Sequence, residues 1–231
     1  MDWWKDFFDE DYVTAWSAAG SFDNTAKTVD DVERLLGVPA AASILDIACG
    51  FGRISGPLSA RGYRLTGIDF SATQLALAEQ RNPGPRYIEA DMRNPPPGRF
   101  DAAINLFSSF GYFADRGDDI AAVRAWAAAL RPNGVLVMEL MHRDLVAHLY
   151  GQSFDHGGPV SEEGVTDWVT GVRTATVTHG AITKTFRMRL YTVTELVGML
   201  HDAGFQQIDA LGDLAGGPVS PESRLVLRAV K

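Results

Sequence analysis

Residues 44–52, ILDIACGFG, constrain the fold of this chain more than any other stretch. A continuous apolar run that meets closely spaced glycines describes a strand covered on both faces, turning sharply into a helix. The next apolar run, RLTGID (64–69), ends in a lone acid, Asp69. Strand, glycine turn, helix and acid-tipped strand together build a ligand site at the carboxyl edge of a parallel sheet. Gly50 and Gly52 let backbone approach a ligand there, and an acid at Asp69 suits ribose hydroxyls.

From 43 to 140 strand and helix patterns alternate. A short helix is expected over 53–60, and Ser71 with Gln74 three residues on forms a capping box that opens another helix. RYIEAD (86–91) predicts a third strand. Prolines 95–97 forbid a regular helix, so a loop leads to FDAAINLF (100–107). Asp118 and Asp119 are expected to open a helix that turns Ile120, Val123, Ala127 and Leu130 to the sheet and stops at 131–134. VLVMEL (135–140) is the fifth strand. Residues 141–190 break the rhythm: β-branched residues dominate from about 165 to 190, with His179-Gly180 as a hairpin turn. Thr192 and Glu195 form a second capping box, for a helix ending at Gly204. Strands near 206–211 and 224–230 are too close in sequence for a helical crossover and must be antiparallel. The fold class is therefore α/β: a Rossmann-like doubly wound sheet of five parallel strands plus a C-terminal antiparallel hairpin, with a small antiparallel β insert. The chain reads as a single domain over 1–231, with an N-terminal helical cap (1–36) and a substrate-side insert (141–190).

Within the cap, Trp4, Phe8, Tyr12 and Trp16 recur every four residues, with Trp3 and Phe7 beside them. On a helix this is one aromatic stripe. It predicts a helix packed on the core, a flap over the ligand site, or the contact of a homodimer, for which the insert is the other expected surface.

A net charge of −8 argues against a nucleic-acid partner, which normally requires a basic face. One cysteine, Cys49, excludes an internal disulfide and a CxxC metal site, so no metal is expected. No apolar run reaches about 18 residues, so no membrane partner is expected. The start, MDWWKDFFDED, lacks the basic and apolar regions of a secretory signal, and the expected compartment is the cytoplasm.

The charge of the ligand follows from three positions. The third glycine of a dinucleotide fingerprint is replaced by Ser55. Asp46 precedes the glycines, where it would repel a pyrophosphate and attract a sulfonium or ammonium. Asp91 ends the third strand and offers another acceptor to a nucleoside.

On these residues the sequence resembles the class I S-adenosylmethionine-dependent methyltransferases, of the bacterial small-molecule type associated with natural-product biosynthesis. DIACGFG (46–52) matches the glycine motif, GIDFS (67–71) the ribose strand end, EADMR (89–93) the adenine segment and FDAAINLFSSFGYF (100–113) the fourth-strand motif. LRPNGVLV (130–137) and LYTVTELVGMLHDAGF (190–205) match the later core. The resemblance implies S-adenosyl-L-methionine as cofactor. Asp46, Ala48, Gly50 and Gly52 would meet its methionine portion, Asp69 its ribose, and Phe70, Asp91 and Met92 its adenine. Leu106 and Phe107 would lie near the methyl group, and Tyr12 resembles an aromatic that closes over the cofactor in relatives. The basic residue that relatives carry near Asn24 is absent, which leaves Arg53 or Thr25 to anchor the carboxylate.

The implied activity is methyl transfer to an oxygen or nitrogen of a small-molecule acceptor by direct displacement. The alternatives are a nicotinamide-dependent oxidoreductase and a noncatalytic S-adenosylmethionine-binding protein. The catalytic candidates are His142, then Tyr112, then His156, with His179 behind them. His142 and Tyr112 follow strands at the sheet's active edge; the other two lie in the insert.

Overall fold

The computed structural model describes residues 4–149, 154–155 and 160–231. In chain order, α1 (Trp4–Phe7), α2 (Glu10–Ala18) and α3 (Thr25–Leu36) precede β1 (Ser43–Ile47), α4 (Ser55–Ala60), β2 (Arg64–Asp69), α5 (Ala72–Arg81) and β3 (Arg86–Glu89). Next come β4 (Phe100–Asn105), α6 (Arg116–Ala129), β5 (Leu130–Leu140) and α7 (Arg143–His148). The insert contributes β6 (Phe154–Asp155), β7 (Val160–Asp167), β8 (Val172–His179) and β9 (Ile182–Arg189). The chain finishes with α8 (Val193–Asp202), β10 (Gln207–Leu211) and β11 (Leu225–Val230).

The aliphatic runs form one seven-stranded sheet of order β10-β11-β5-β4-β1-β2-β3. β1 to β5 are mutually parallel, and β11 runs antiparallel to both β5 and β10, as the short 211–225 connection requires. The winding reverses between β1 and β4, which opens a crevice beyond their carboxyl ends. Trp126 and Leu196, from α6 and α8, cover one face beside Leu45 and Leu136. Val32, Leu36 and Leu58, from α3 and α4, cover the other beside Ile44 and Val137. Burial on both faces explains why these strands read as continuous apolar runs.

The insert is a separate antiparallel sheet, β6-β7-β8-β9, with Gly180 at φ +58° in the predicted hairpin. Its Val177, Phe186 and Met188 share a third core with Phe7, Ala15 and Trp16 of the N-terminal segment. That segment is not one helix. Asp9 interrupts it by capping α2, its Oδ1 accepting from the Tyr12 amide at 3.1 Å. The aromatics then diverge: Trp4 meets Phe70 edge-on at 4.4 Å, while Phe7 and Trp16 turn to the insert. Trp3 lies outside the described residues.

Two helix starts also differ from expectation. Asp115, accepting from the Gly117 amide at 2.7 Å, caps α6 one turn earlier than Asp118. Asp119 is fully buried, its Oδ2 accepting from the Tyr191 hydroxyl at 2.7 Å and from Arg189 at 3.3 Å. Burial pushes its carboxyl up to about 6. At α8 the capping box between Thr192 and Glu195 is complete. At α5 only half forms: Ser71 Oγ accepts from the Gln74 amide, but the Gln74 side chain is drawn to the Asp9 carbonyl.

Candidate functional site

The turn after β1 is built from residues at positive φ: Ala48 (+57°), Gly50 (+53°) and Gly52 (+75°). It places Asp46, Asp69 and Arg53 around one cleft. Asp46 is buried, and its Oδ2 accepts from Ser55 Oγ at 2.6 Å. The residue that breaks the dinucleotide fingerprint is thus the partner of the acid. Burial pushes the Asp46 carboxyl up to about 7, although Ser55 and Arg53 favour the anion. Asp69 accepts from the Gly50 amide at 2.8 Å and the Ser71 amide at 2.9 Å, and burial raises its carboxyl too.

A third acceptor joins them. Gln74 Oε1 lines the cleft, buried, with no hydrogen-bond partner among the described residues. The cation of the cleft is Arg53, whose Nη1 donates to Thr25 Oγ1 at 3.3 Å; its guanidinium lies 5.3 Å from the Phe22 ring centre and 5.1 Å from that of Phe107. Three oxygen acceptors and one half-buried guanidinium suit a ligand with hydroxyls, a positive centre and a carboxylate. They are unsuited to a pyrophosphate, which the acids would repel.

Phe8, Tyr12, Phe107 and Tyr112 line this cleft and also a second cavity of about 300 Å³. They form an aromatic partition, with Phe8 5.0 Å from Tyr12 and 5.6 Å from Tyr112 between ring centres. Beyond it lie Trp16, Met141, Leu145, Phe186 and Met188, with Glu162 and Arg224 as the charged members. The N-terminal side of the partition is tied down at both ends. Ser71 Oγ donates to the Phe8 carbonyl at 2.9 Å, and Lys184 of the insert pairs with Asp9 at 2.6 Å.

The other side is held under backbone strain. Phe107 and Ser108 both adopt left-handed conformations, φ +60° and +59°, at a cost of about 1–2 kcal/mol each for residues with a Cβ. Glu139 of β5 offsets this by accepting from the Phe107 amide at 2.8 Å and from Arg224 Nε. Arg224 Nη2 in turn donates to Ser108 Oγ at 2.8 Å.

Of the sequence candidates, Tyr12, Asp46, Ala48, Gly50, Arg53, Asp69, Phe70, Met92, Leu106, Phe107 and Tyr112 all line the cleft. Gly52 does not. A Cβ there would lie 2.3 Å from the Tyr87 hydroxyl, so its missing side chain serves the packing of β3. Asp91 sits in a neighbouring hollow with Phe70, Met92 and Trp4, its carboxylate gripped by Arg93 Nε at 3.0 Å and Nη2 at 2.5 Å. His142 is corrected: it is buried as the N-cap of α7, with Nε2 3.0 Å from the Ser223 carbonyl, and lines neither cavity. A buried strand end faces inward here, and the imidazole pins the 211–225 connection. His179 lies at the far hairpin and lines neither cavity, and His156 falls outside the described residues. Phe8, Gln74, Glu139, Glu162 and Arg224 were not anticipated. The aromatic stripe carried a signal for Phe8; Gln74 was masked by its capping role, and the rest had no local signal.

Residues 44–134, which carry most of the cleft, match the family described as a methyltransferase domain. That segment is a methyltransferase domain similar to those of the class I S-adenosylmethionine-dependent methyltransferases. Over 102 residues it is 40% identical to a dTDP-3-amino-3,6-dideoxy-α-D-glucopyranose N,N-dimethyltransferase of Streptomyces fradiae. That match covers 44% of this chain and 40% of the relative's length. A glycine/sarcosine N-methyltransferase of Halorhodospira halochloris is 28% identical over 90% of this chain and 84% of its own length. In fold the chain is similar to CalS10, a SAM-bound amino pentose methyltransferase of Micromonospora echinaspora, with TM-score 0.66 and 24% identity over 90% of each chain. The cofactor of this family is S-adenosylmethionine, and the cleft fits it: the buried Gln74 oxygen has no hydrogen-bond partner among the described residues, and the Asp46 and Asp69 carboxylates line the same cleft. Among the described residues no helix is long and apolar enough to cross a membrane.

Proposed function

We propose that this methyltransferase acts on an amine nitrogen of a small-molecule metabolite held in the second cavity. The observation that carries this reading is the lack of a base around that cavity among the described residues. Among the described residues no histidine lines it. Burial raises the hydroxyls of Tyr12 and Tyr112, so both stay protonated near neutral pH. Glu162, the acid on the wall, is held by Arg173 at 2.9 Å. An alcohol or phenol needs a base to become nucleophilic, whereas an amine need only be neutral. The activities of the sugar and glycine relatives, both N-methyltransferases, support the same choice.

S-adenosylmethionine supplies, when bound, a methyl carbon on a positively charged sulfur. Asp69 would take the ribose hydroxyls, while Phe70 and Met92 flank the adenine and Asp91 accepts from its amine. Arg53, steadied by Thr25, would hold the carboxylate, and Asp46 would offset the positive charge. The partition of Phe8, Tyr12, Phe107 and Tyr112 would align the acceptor nitrogen and exclude water, which is the main protein contribution to a displacement. The test is to incubate the protein with S-adenosylmethionine and matched amines and alcohols and to identify the product by mass spectrometry. Products methylated on nitrogen are expected; methylation confined to oxygen or carbon overturns the proposal.

A further inference from the structure

We infer that the acceptor carries an anionic group, and that Arg224 is the residue that selects it. This rests on the reading of the second cavity as the acceptor site. Arg224 stands just before β11, on the Tyr112 and Phe107 side of the partition. Two of its three nitrogens are committed: Nε to Glu139 and Nη2 to Ser108 Oγ. Nη1 makes no hydrogen bond to any described residue, and the side chain lines a cavity whose walls are mostly apolar, Trp16, Met141, Leu145, Phe186 and Met188 among them. Arg224 is partly exposed where it meets the cavity, so a ligand entering there can take this donor from solvent, and a charged oxygen gives the strongest and most directional bond.

The second charge in the cavity does not compete for that role. Glu162 is closed into a buried pair with Arg173, through Nε at 3.2 Å and Nη2 at 2.9 Å. Glu139 is likewise occupied, by Arg224 on one oxygen and the Phe107 amide on the other. The uncommitted charge-bearing donor is therefore Arg224 Nη1. It lies on the acceptor side alone, since Arg224 does not line the cofactor cleft. The acceptor class that results is an amine joined to a carboxylate or phosphate, with its apolar or sugar body against the aromatic wall.

The experiment uses the whole protein and pairs of amines that differ only in the anion. One arm compares an α-amino acid with its amide; the other compares an amino-sugar nucleotide with the free amino sugar. S-adenosylmethionine binding is measured first by calorimetry. In the wild type, one anion-bearing amine is expected to show kcat/KM about tenfold or more above its uncharged analogue, the range set by one charge-assisted bond. R224Q should bring the kcat/KM ratio between the anion-bearing substrate and its uncharged analogue down toward one, and R224K should retain part of the preference. A merely structural role through Ser108 and Glu139 would lower both substrates alike. The inference is overturned if the analogues perform equally, if the preference survives in R224Q, or if no anion-bearing amine is methylated. The arm that responds names carboxylate or phosphate. Failure of S-adenosylmethionine to bind would instead remove the methyl-transfer reading itself.

Discussion

The cleft proposed for the cofactor and the cavity proposed for the acceptor share one aromatic partition, yet they are built in opposite ways. The cleft is assembled from consecutive strand ends of one sheet: Asp46 on β1, Asp69 on β2, Leu106 just past β4. Its acids are held by residues close by, Ser55 for Asp46 and the amides of Gly50 and Ser71 for Asp69. The acceptor cavity collects side chains from both termini, the β4 loop and the insert, including Trp16, Phe107, Phe186 and Arg224. Its key loop is strained and held by partners far away in sequence. The contrast teaches that the cofactor half can be kept while the acceptor half is remodelled, because few residues serve both.

The largest expected effect breaks the cleft alone. Asp69→Ala removes a charged acceptor that also organises the glycine turn, and should weaken S-adenosylmethionine binding by about 30- to 100-fold, roughly 2–3 kcal/mol. Calorimetry reads this directly, and an unchanged affinity would show that the ribose assignment is wrong. Next is a pH effect on the same half. A cationic ligand selects ionised Asp46, whose proton leaves near pH 7 in the free protein. Affinity for S-adenosylmethionine should therefore fall as pH drops below about 7, by up to about tenfold per unit, and Asp46→Asn should flatten the profile. The stability of the unliganded protein runs the other way. The folded chain holds this proton more tightly than the unfolded chain, so Asp46 makes stability fall as pH rises from about 4 to about 7. Asp119, pushed up to about 6, adds a fall of the same sign over a lower range. Melting temperatures of wild type and Asp46→Asn across pH 5–8 check the sign, because the variant should lose part of the decline.

On the acceptor side, Trp16→Ala should raise acceptor KM by several-fold through lost wall area while leaving cofactor affinity within about twofold. Steady-state kinetics beside calorimetry test that split, and equal losses on both sides would merge the two regions. The smallest effect is a control outside both: Thr192→Ala opens the capping box of α8 and should cost about 1 kcal/mol of stability without touching either constant.

The same contrast explains what was legible in the sequence. The succession of strands and helices, the antiparallel end and the hairpin of the insert follow from apolar periodicity and turn residues, which act locally. The cleft was legible for the same reason, down to Ser55 in place of a glycine. His142 was misplaced because a position after a strand says nothing about which way the imidazole turns; it turns to the Ser223 carbonyl. Arg224 was invisible because its meaning depends on Glu139, 85 residues away, and Glu162 because its place beside the cavity depends on how the insert packs on the N-terminal segment. The broken N-terminal helix was written in Asp9, a strong N-cap set inside the aromatic stripe.

The most direct test of a two-compartment amine methyltransferase is transfer of an isotope-labelled methyl group from S-adenosylmethionine to a panel of small amines and their hydroxyl counterparts. The account predicts label on nitrogen, with no turnover of the matched alcohols. Label appearing on oxygen instead, or none transferred although the cofactor binds, would contradict it.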